Sequence, residues 1–449
     1  MKKLFGTDGV RGVANQYPMT AEMALNIGRA AAYYLKGDRK TPRIVVGKDT
    51  RLSGDMLENA LTAGICSVGV DVDLAGVMPT PGVAYLAKSS GACGGIVISA
   101  SHNPFYDNGI KLFGGDGYKL SDEAEAQIEE QVLGHGISDL TQTIRHTGRV
   151  FGMADGGVRY GRFIESCLTG GGSVNGLKIV IDCANGATSF MAGRLFRHLG
   201  AEVDALFDAP DGHNINDRCG SQFPQALARR VVQEGAAAGL AFDGDGDRLI
   251  AVDERGHILT GDQLMAICAR AMQRSGKLKN GIVVSTVMSN IGFGLALRAM
   301  GIEHVTADVG DRYVMQKMMS SGAVLGGEDS GHLIFLDHHT TGDGMLAATQ
   351  LIGIMAETSE PLSGLSRIMT VYPQVLTNVT VRRKPDIDRI PEIANAISAV
   401  QKRLGDRGRV LVRYSGTQPM CRVMVEGPSR AETEQMCSKI AEIVSEKLA

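Results

Sequence analysis

Short apolar runs rich in β-branched residues, each followed by a polar loop, a helical stretch and a second, glycine-led run, recur three times along this chain. The first pairs Arg43–Asp49 with Gly69–Asp73, with a helix expected from about Gly54. Lys178–Asp182 leads likewise to Gly200–Asp204, and Ile282–Ser285 to Gly301–Val305. Each repeat reads as a βαβ unit, because parallel strands need a crossover of helical length. The remainder is patterned differently. Val375–Val381 alternates as a strand, Asp386–Leu404 is helical, and Val410–Arg413 and Arg422–Val425 are strands; Ser429 and Glu432 form a capping box that opens a last helix. The expected fold class is therefore α/β: three repeated βαβ-type domains with mixed sheets plus a smaller C-terminal α+β domain. Interruptions by Gly, Asp and Pro place the domains at 1–155, 156–256, 257–370 and 371–449.

The chain has 449 residues, 44% hydrophobic and 21% charged, enough for several cores. A net charge of −3 with no basic stripe makes nucleic acid an unexpected partner. The N-terminus starts basic but reaches Asp8 before an apolar segment of signal length, and no later run has the length of a membrane span. No membrane partner and a cytoplasmic location are expected. Eight scattered cysteines without a Cys-x-x-Cys pair read as reduced residues.

Asp243-Gly244-Asp245-Gly246-Asp247 places three carboxylates at alternate positions with only glycine between them. In an extended loop, residues two apart point the same way, so the acids converge, and an all-oxygen set suits magnesium or calcium. A calcium-binding EF-hand is the nearest rival, since Glu254 stands twelfth from Asp243. Its sharp-turn glycine, however, is Arg248, and the flanks read as strands rather than helices.

Other candidates are polar loops beside apolar strands. Gly94–Ser99 runs into Ala100-Ser101-His102-Asn103-Pro104, where the adjacent His102 is poorly placed as a base for Ser101, so a hydrolase triad does not fit. Lys111 follows about one strand-length on; a lysine in a cleft near other cations can lose its proton and act as a base, although a lone lysine is usually solvated. Arg11, in a glycine-rich loop, suits an anionic substrate. Glu328, Ser330 and His332 share a glycine-framed loop of the kind that hydrogen-bonds sugar hydroxyls. Arg413, Ser415, Gly416, Thr417 and Arg422 bring arginine forks, hydroxyls and turn amides to one hairpin, a phosphate cradle.

Taken together, Leu4–Asn15, Ala100–Pro104, the Asp243 loop, Val309–Val314, the Glu328 loop and Arg413–Thr417 resemble, in order and over nearly the whole chain, the α-D-phosphohexomutase family. The resemblance implies four domains around a central cleft, with Ser101 as phosphoserine and Ser101, Asp243, Asp245 and Asp247 as magnesium ligands. It implies substrate contacts from Gly310, Asp311, Glu328, Ser330 and His332, and a grip on the non-reacting phosphate by Arg413, Ser415, Gly416, Thr417 and Arg422. Arg11, His102, Lys111 and Arg248 support the transfer, with proton movement given to Lys111 or His332. The implied activity interconverts a hexosamine 6-phosphate and 1-phosphate through a sugar 1,6-bisphosphate; a homodimer stays open. Two alternatives stand beside it: a phosphomannose- or phosphoglucose-type mutase, and a non-enzymatic calcium-binding or sugar-phosphate-sensing module.

Overall fold

The structure is a computed structural model that describes residues 4–6, 8–134, 146–168, 174–415 and 419–449. Its contacts divide into two compact units, Met1–Val287 with Glu303–Arg367, and Met288–Ile302 with Ile368–Ala449.

The first unit holds three sheets. The six-stranded sheet is built from β1 (Val10–Val13), β2 (Arg43–Lys48), β3 (Asp71–Val77), β4 (Gly94–Ile98), β5 (Asp107–Gly114) and β6 (Val150–Gly152), in the order β1-β5-β4-β2-β3-β6. β2, β3, β4 and β6 run parallel, while β5 returns antiparallel to β4 and pairs with β1. Helices Ala21–Lys36 and Ser53–Ser67 cover it, and Ile27, Ile44, Leu57, Leu61, Ile65 and Ile96 are fully buried in the resulting core. Ser121 caps the helix Asp122–Leu133 by accepting from Ala124 N.

In the second sheet, β7 (Lys178–Asp182), β8 (Glu202–Leu206), β9 (Ala238–Phe242), β10 (Leu249–Asp253) and β11 (Ile258–Leu259) take the order β11-β10-β9-β7-β8. β7 and β8 are the expected parallel pair, and β9, β10 and β11 form an antiparallel meander. The third sheet, β13-β12-β14-β15, comprises β12 (Ile282–Thr286), β13 (Glu303–Ala307), β14 (Leu325–Gly327) and β15 (Leu333–Phe335). All three sheets are mixed, each a parallel set extended by an antiparallel strand.

The second unit contains β16 (Gln374–Thr380), β17 (Arg409–Tyr414) and β18 (Met420–Glu426), antiparallel in the order β16-β18-β17. Helices Pro391–Leu404 and Arg430–Leu448 pack on it through Ile393, Val400, Ile440 and Val444. One boundary differs from expectation. The helix expected over 386–404 is broken: a short 3₁₀ turn occupies Ile387–Arg389, and the α-helix begins at Pro391. Proline has no N–H to donate and disfavours helical geometry in the residue before it, so it starts the helix rather than continuing one. The capping box expected at the last helix is only half formed: Ser429 Oγ accepts from Glu432 N, but the Glu432 carboxylate accepts from the Ser429 hydroxyl and not from its backbone N–H.

Candidate active site

Three loops of the first unit, each at the carboxyl end of a strand, meet at one point. β4 delivers Ser101 three residues past Ile98, and β5 returns with Lys111 opposite Val97. β9 and β10 pair Phe242 with Leu249, making residues 243–248 a hairpin loop, and β14 and β15 pair Gly327 with Leu333 around the loop 328–332. Ligand sites in open α/β sheets gather at this end because the connecting loops collect there.

Ser101 is buried and sits at φ 52°, in the left-handed region. Its Oγ donates to Asp243 Oδ2 at 2.6 Å and lies 3.2 Å from His102 Nδ1. Gly244 lets the two loops close, since a Cβ there would stand 2.6 Å from the Ser101 carbonyl oxygen. Gly246 turns the loop at φ +71°, beneath Pro79 and Thr188.

The three aspartates are buried, with carboxylate oxygens within 4.8 Å of one another. Asp245 Oδ2 accepts from Thr80 Oγ1 at 2.6 Å and from Lys111 Nζ at 2.8 Å. Asp245 Oδ1 and Asp247 Oδ1 are buried with no hydrogen-bond partner among the described residues. Burial pushes the Asp243 carboxyl well above its usual range, and Asp247 and Asp245 add to the rise. Buried oxygens without donors, beside an acid strained by its like-charged neighbours, are what a hard cation satisfies. The residues fit one.

Around the triad lies a chain of ion pairs. Lys111 Nζ also stands 3.1 Å from Asp8 and 3.9 Å from Asp247. Lys119 bridges Asp8 and Asp311 at 2.5 Å each. Arg11 binds Asp8, and Arg248 Nε lies 3.8 Å from Asp247 Oδ1. His332 Nδ1 is 3.5 Å from Asp247, and its buried Nε2 is 3.8 Å from Asp311. Burial works against the charged forms of Lys111 and His332. The surrounding carboxylates outweigh it, Asp245 and Asp8 at the lysine and Asp247 and Asp311 at the histidine, and raise both. Lys111 is thus protonated here rather than poised as a base. Burial, with Arg248 and Arg11 nearby, lowers His102 to about 4, so its imidazole is neutral.

On the third loop, Glu328 Oε1 accepts from Gly310 N at 3.0 Å, and Ser330 Oγ is buried with no partner among the described residues. Asp311 opens the helix Asp311–Ser321.

The second unit places Arg413 of β17 directly opposite Arg422 of β18. Like charges at paired positions repel unless an anion lies between them. Ser415 is buried, Lys384 Nζ donates to its carbonyl at 2.6 Å, and Arg422 Nε has no hydrogen-bond partner among the described residues. Gly416 and Thr417 lie outside the described residues.

Sequence reasoning missed Asp8, Lys119 and Thr80. Asp8 stands in the same glycine-rich loop as Arg11 with nothing local to single it out, and neither Lys119 nor Thr80 stands in a motif. Their significance comes from long-range contact, 165 residues apart for Thr80 and Asp245.

Models of the phosphoglucomutase/phosphomannomutase domains match the chain in order: α/β/α domain I over residues 2–135, domain II over 162–256, domain III over 260–372 and the C-terminal domain over 376–443. The chain belongs to this family. A phosphoglucosamine mutase of Syntrophus aciditrophicus is 57% identical over 448 residues, covering 100% of both chains. One from Syntrophobacter fumaroxidans is 54% identical, covering 99% of each. Among solved structures, a phosphoglucomutase/phosphomannomutase family protein of Burkholderia thailandensis superposes with a TM-score of 0.80 at 25% identity, covering 99% of this chain and 98% of that one. The fold is also that of Aspergillus fumigatus N-acetylphosphoglucosamine mutase, solved with GlcNAc-6P and magnesium, at a TM-score of 0.68, 18% identity, and coverage of 100% and 96%. No helix among the described residues is long and apolar enough to cross a membrane.

Proposed function

We propose that this chain is a phosphoglucosamine mutase, interconverting glucosamine 6-phosphate and glucosamine 1-phosphate through phospho-Ser101 and glucosamine 1,6-bisphosphate. The observation that carries the reading is the 2.6 Å contact between Ser101 Oγ and the Asp243 carboxylate, which joins a nucleophile and a cation site 142 residues apart in sequence. Full-length relatives of that name support the substrate.

In the first half-reaction the P–Oγ bond of phospho-Ser101 breaks as a bond forms between phosphorus and the sugar's free hydroxyl oxygen, and the proton that oxygen loses is passed to the freed Ser101 Oγ, restoring the serine hydroxyl that donates to Asp243. The second half-reaction reverses this with the other phosphate, restoring phospho-Ser101. Asp243, Asp245, Asp247 and the serine phosphate would hold magnesium, as hard oxygen donors do; when bound, it neutralises charge on the phosphoryl oxygens. Protonated Lys111, with Arg11 and Arg248, adds positive charge around that group. His102, neutral and 3.2 Å from Ser101 Oγ, orients it. His332, whose protonated form Asp247 and Asp311 favour, is the group placed to lend the serine oxygen a proton and then recover one from the sugar hydroxyl. Gly310, Asp311, Glu328 and Ser330 meet sugar hydroxyls, and Arg413, Ser415, Gly416, Thr417 and Arg422 grip the phosphate that is not reacting. The four segments 1–155, 156–256, 257–370 and 371–449 would be the domains, and a cytoplasmic location and amino-sugar nucleotide synthesis suit the substrate.

Intact-mass measurement of freshly purified protein, alongside assays of glucosamine, glucose and mannose 6-phosphates, tests this. A phosphate adduct lost in Ser101→Ala and a preference for the amino sugar are expected. A protein that never carries the adduct is not this mutase, and a preference for glucose or mannose moves it to the phosphohexose branch.

A further inference from the structure

We propose that Arg51 is a positioning residue that sets the attacking geometry of Ser101, an inference that rests on the phosphoserine reading above. Its side chain and that of Asp49 are completely buried. One guanidinium gathers four backbone carbonyls of the serine loop. NH2 donates to Ser101 O at 3.0 Å and Asn103 O at 2.8 Å, and NH1 donates to Asp107 O at 3.0 Å and to Pro104 O. Its Nε donates to Asp49 Oδ2 at 2.8 Å. Asp49 Oδ2 also accepts from Ser99 Oγ at 2.5 Å, and Ser99 Oγ in turn accepts from Ser101 N at 2.9 Å. Both the carbonyl and the N–H of Ser101 are therefore tied to the same buried ion pair.

That arrangement answers a specific need. Ser101 occupies a backbone conformation that residues with a Cβ avoid, and such conformations persist only where surrounding structure over-determines them. With its carbonyl drawn toward Arg51, the hydroxyl points at Asp243. A second anchor comes from the other domain: Asn216 Nδ2 donates to Ser101 O at 2.9 Å and to Asn103 O at 3.0 Å. The serine oxygen must give up a phosphoryl group and take one back at the same place in each turnover, so a loop free to relax would lose alignment twice.

Lysine in place of Arg51 keeps a cation against Asp49 but cannot span four carbonyls from a single nitrogen. The test compares wild type, Arg51→Lys and Asn216→Ala, each loaded on Ser101 with glucose 1,6-bisphosphate and mixed with glucosamine 6-phosphate in single-turnover experiments. Transfer should slow on the order of 10²-fold in Arg51→Lys and about tenfold in Asn216→Ala, with KM within about twofold and the melting temperature of Asn216→Ala unchanged. A merely structural role would lower the melting temperature and leave the transfer rate of the folded fraction intact. Wild-type transfer rates in either folded variant, or a loss carried wholly by KM, overturn the proposal. Should Arg51→Lys not fold, Asn216→Ala decides alone. A wild-type chain that accepts no phosphate refutes the mutase reading instead, and shows this before any variant is compared.

Discussion

Ser101, the proposed nucleophile, occupies a backbone conformation that costs about 1–2 kcal/mol for a residue bearing a Cβ. Ser101→Ala keeps the backbone and its anchors, so melting behaviour should stay close to wild type while interconversion disappears; residual activity above about a thousandth of wild type would contradict the nucleophile assignment. Gly246→Ala should destabilise by about 1–3 kcal/mol, from a positive φ combined with a Cβ placed 2.7 Å from Thr188 Cγ2, measured by denaturant unfolding. A pH effect belongs to Asp343, which burial raises from 3.8 to about 7 while it accepts from Tyr160 OH at 2.9 Å and Leu346 N at 3.0 Å. His339, the nearest titratable cation at 4.0 Å, is itself lowered to about 4 by burial, so it does not neutralise the acid near pH 7. Because the folded value lies above the unfolded one, the stability from protonated Asp343 is full below pH 3.8 and lost as pH rises through about 7. Asp343→Asn should flatten that decline in melting temperature between pH 4 and about 8; an unchanged slope would show that the acid is ionised throughout. The three aspartates were legible because their alternation is local. Asp8 and Thr80 were not, since each matters through a partner far away in the chain.

Secondary structure was legible where a period was unbroken. The three βαβ repeats and the strands flanking Asp243 appear as expected, since β-branched runs bounded by glycine admit few other readings. What failed was the helix over 386–404, where apolar periodicity carried the reading across a proline that the backbone does not ignore. Contacts between elements were invisible in sequence. Arg312, at the start of the helix Asp311–Ser321, reaches the helix Asp122–Leu133 and binds Asp122, with Glu125 at 2.9 Å. Glu125 is 2% exposed, so Arg312→Ala removes one charge-assisted hydrogen bond from a buried acid and should cost about 1–3 kcal/mol in chemical unfolding. At the β17–β18 hairpin, Arg413→Glu replaces a like-charged cross-strand pair with an attractive one. It should leave stability intact and raise the KM for hexosamine phosphate on the order of tenfold or more.

At the scale of the whole molecule, a cation held by the buried triad would link its binding to folding. Chelation should abolish activity and lower the melting temperature, and magnesium should restore both in a concentration-dependent way, since a ligand that binds only the folded form stabilises it by mass action. Insensitivity of both to chelator would count against the cation site. The second compact unit has a further consequence. It is assembled from two separate stretches, Met288–Ile302 and Ile368–Ala449, and the helix Ile291–Ala299 buries Phe293 and Leu297 within the shorter one. Polypeptide passes between the units at three places rather than one. A gene cut after codon 367 would therefore leave an orphaned helix behind, and grafting this module from a relative succeeds only if both stretches are exchanged together.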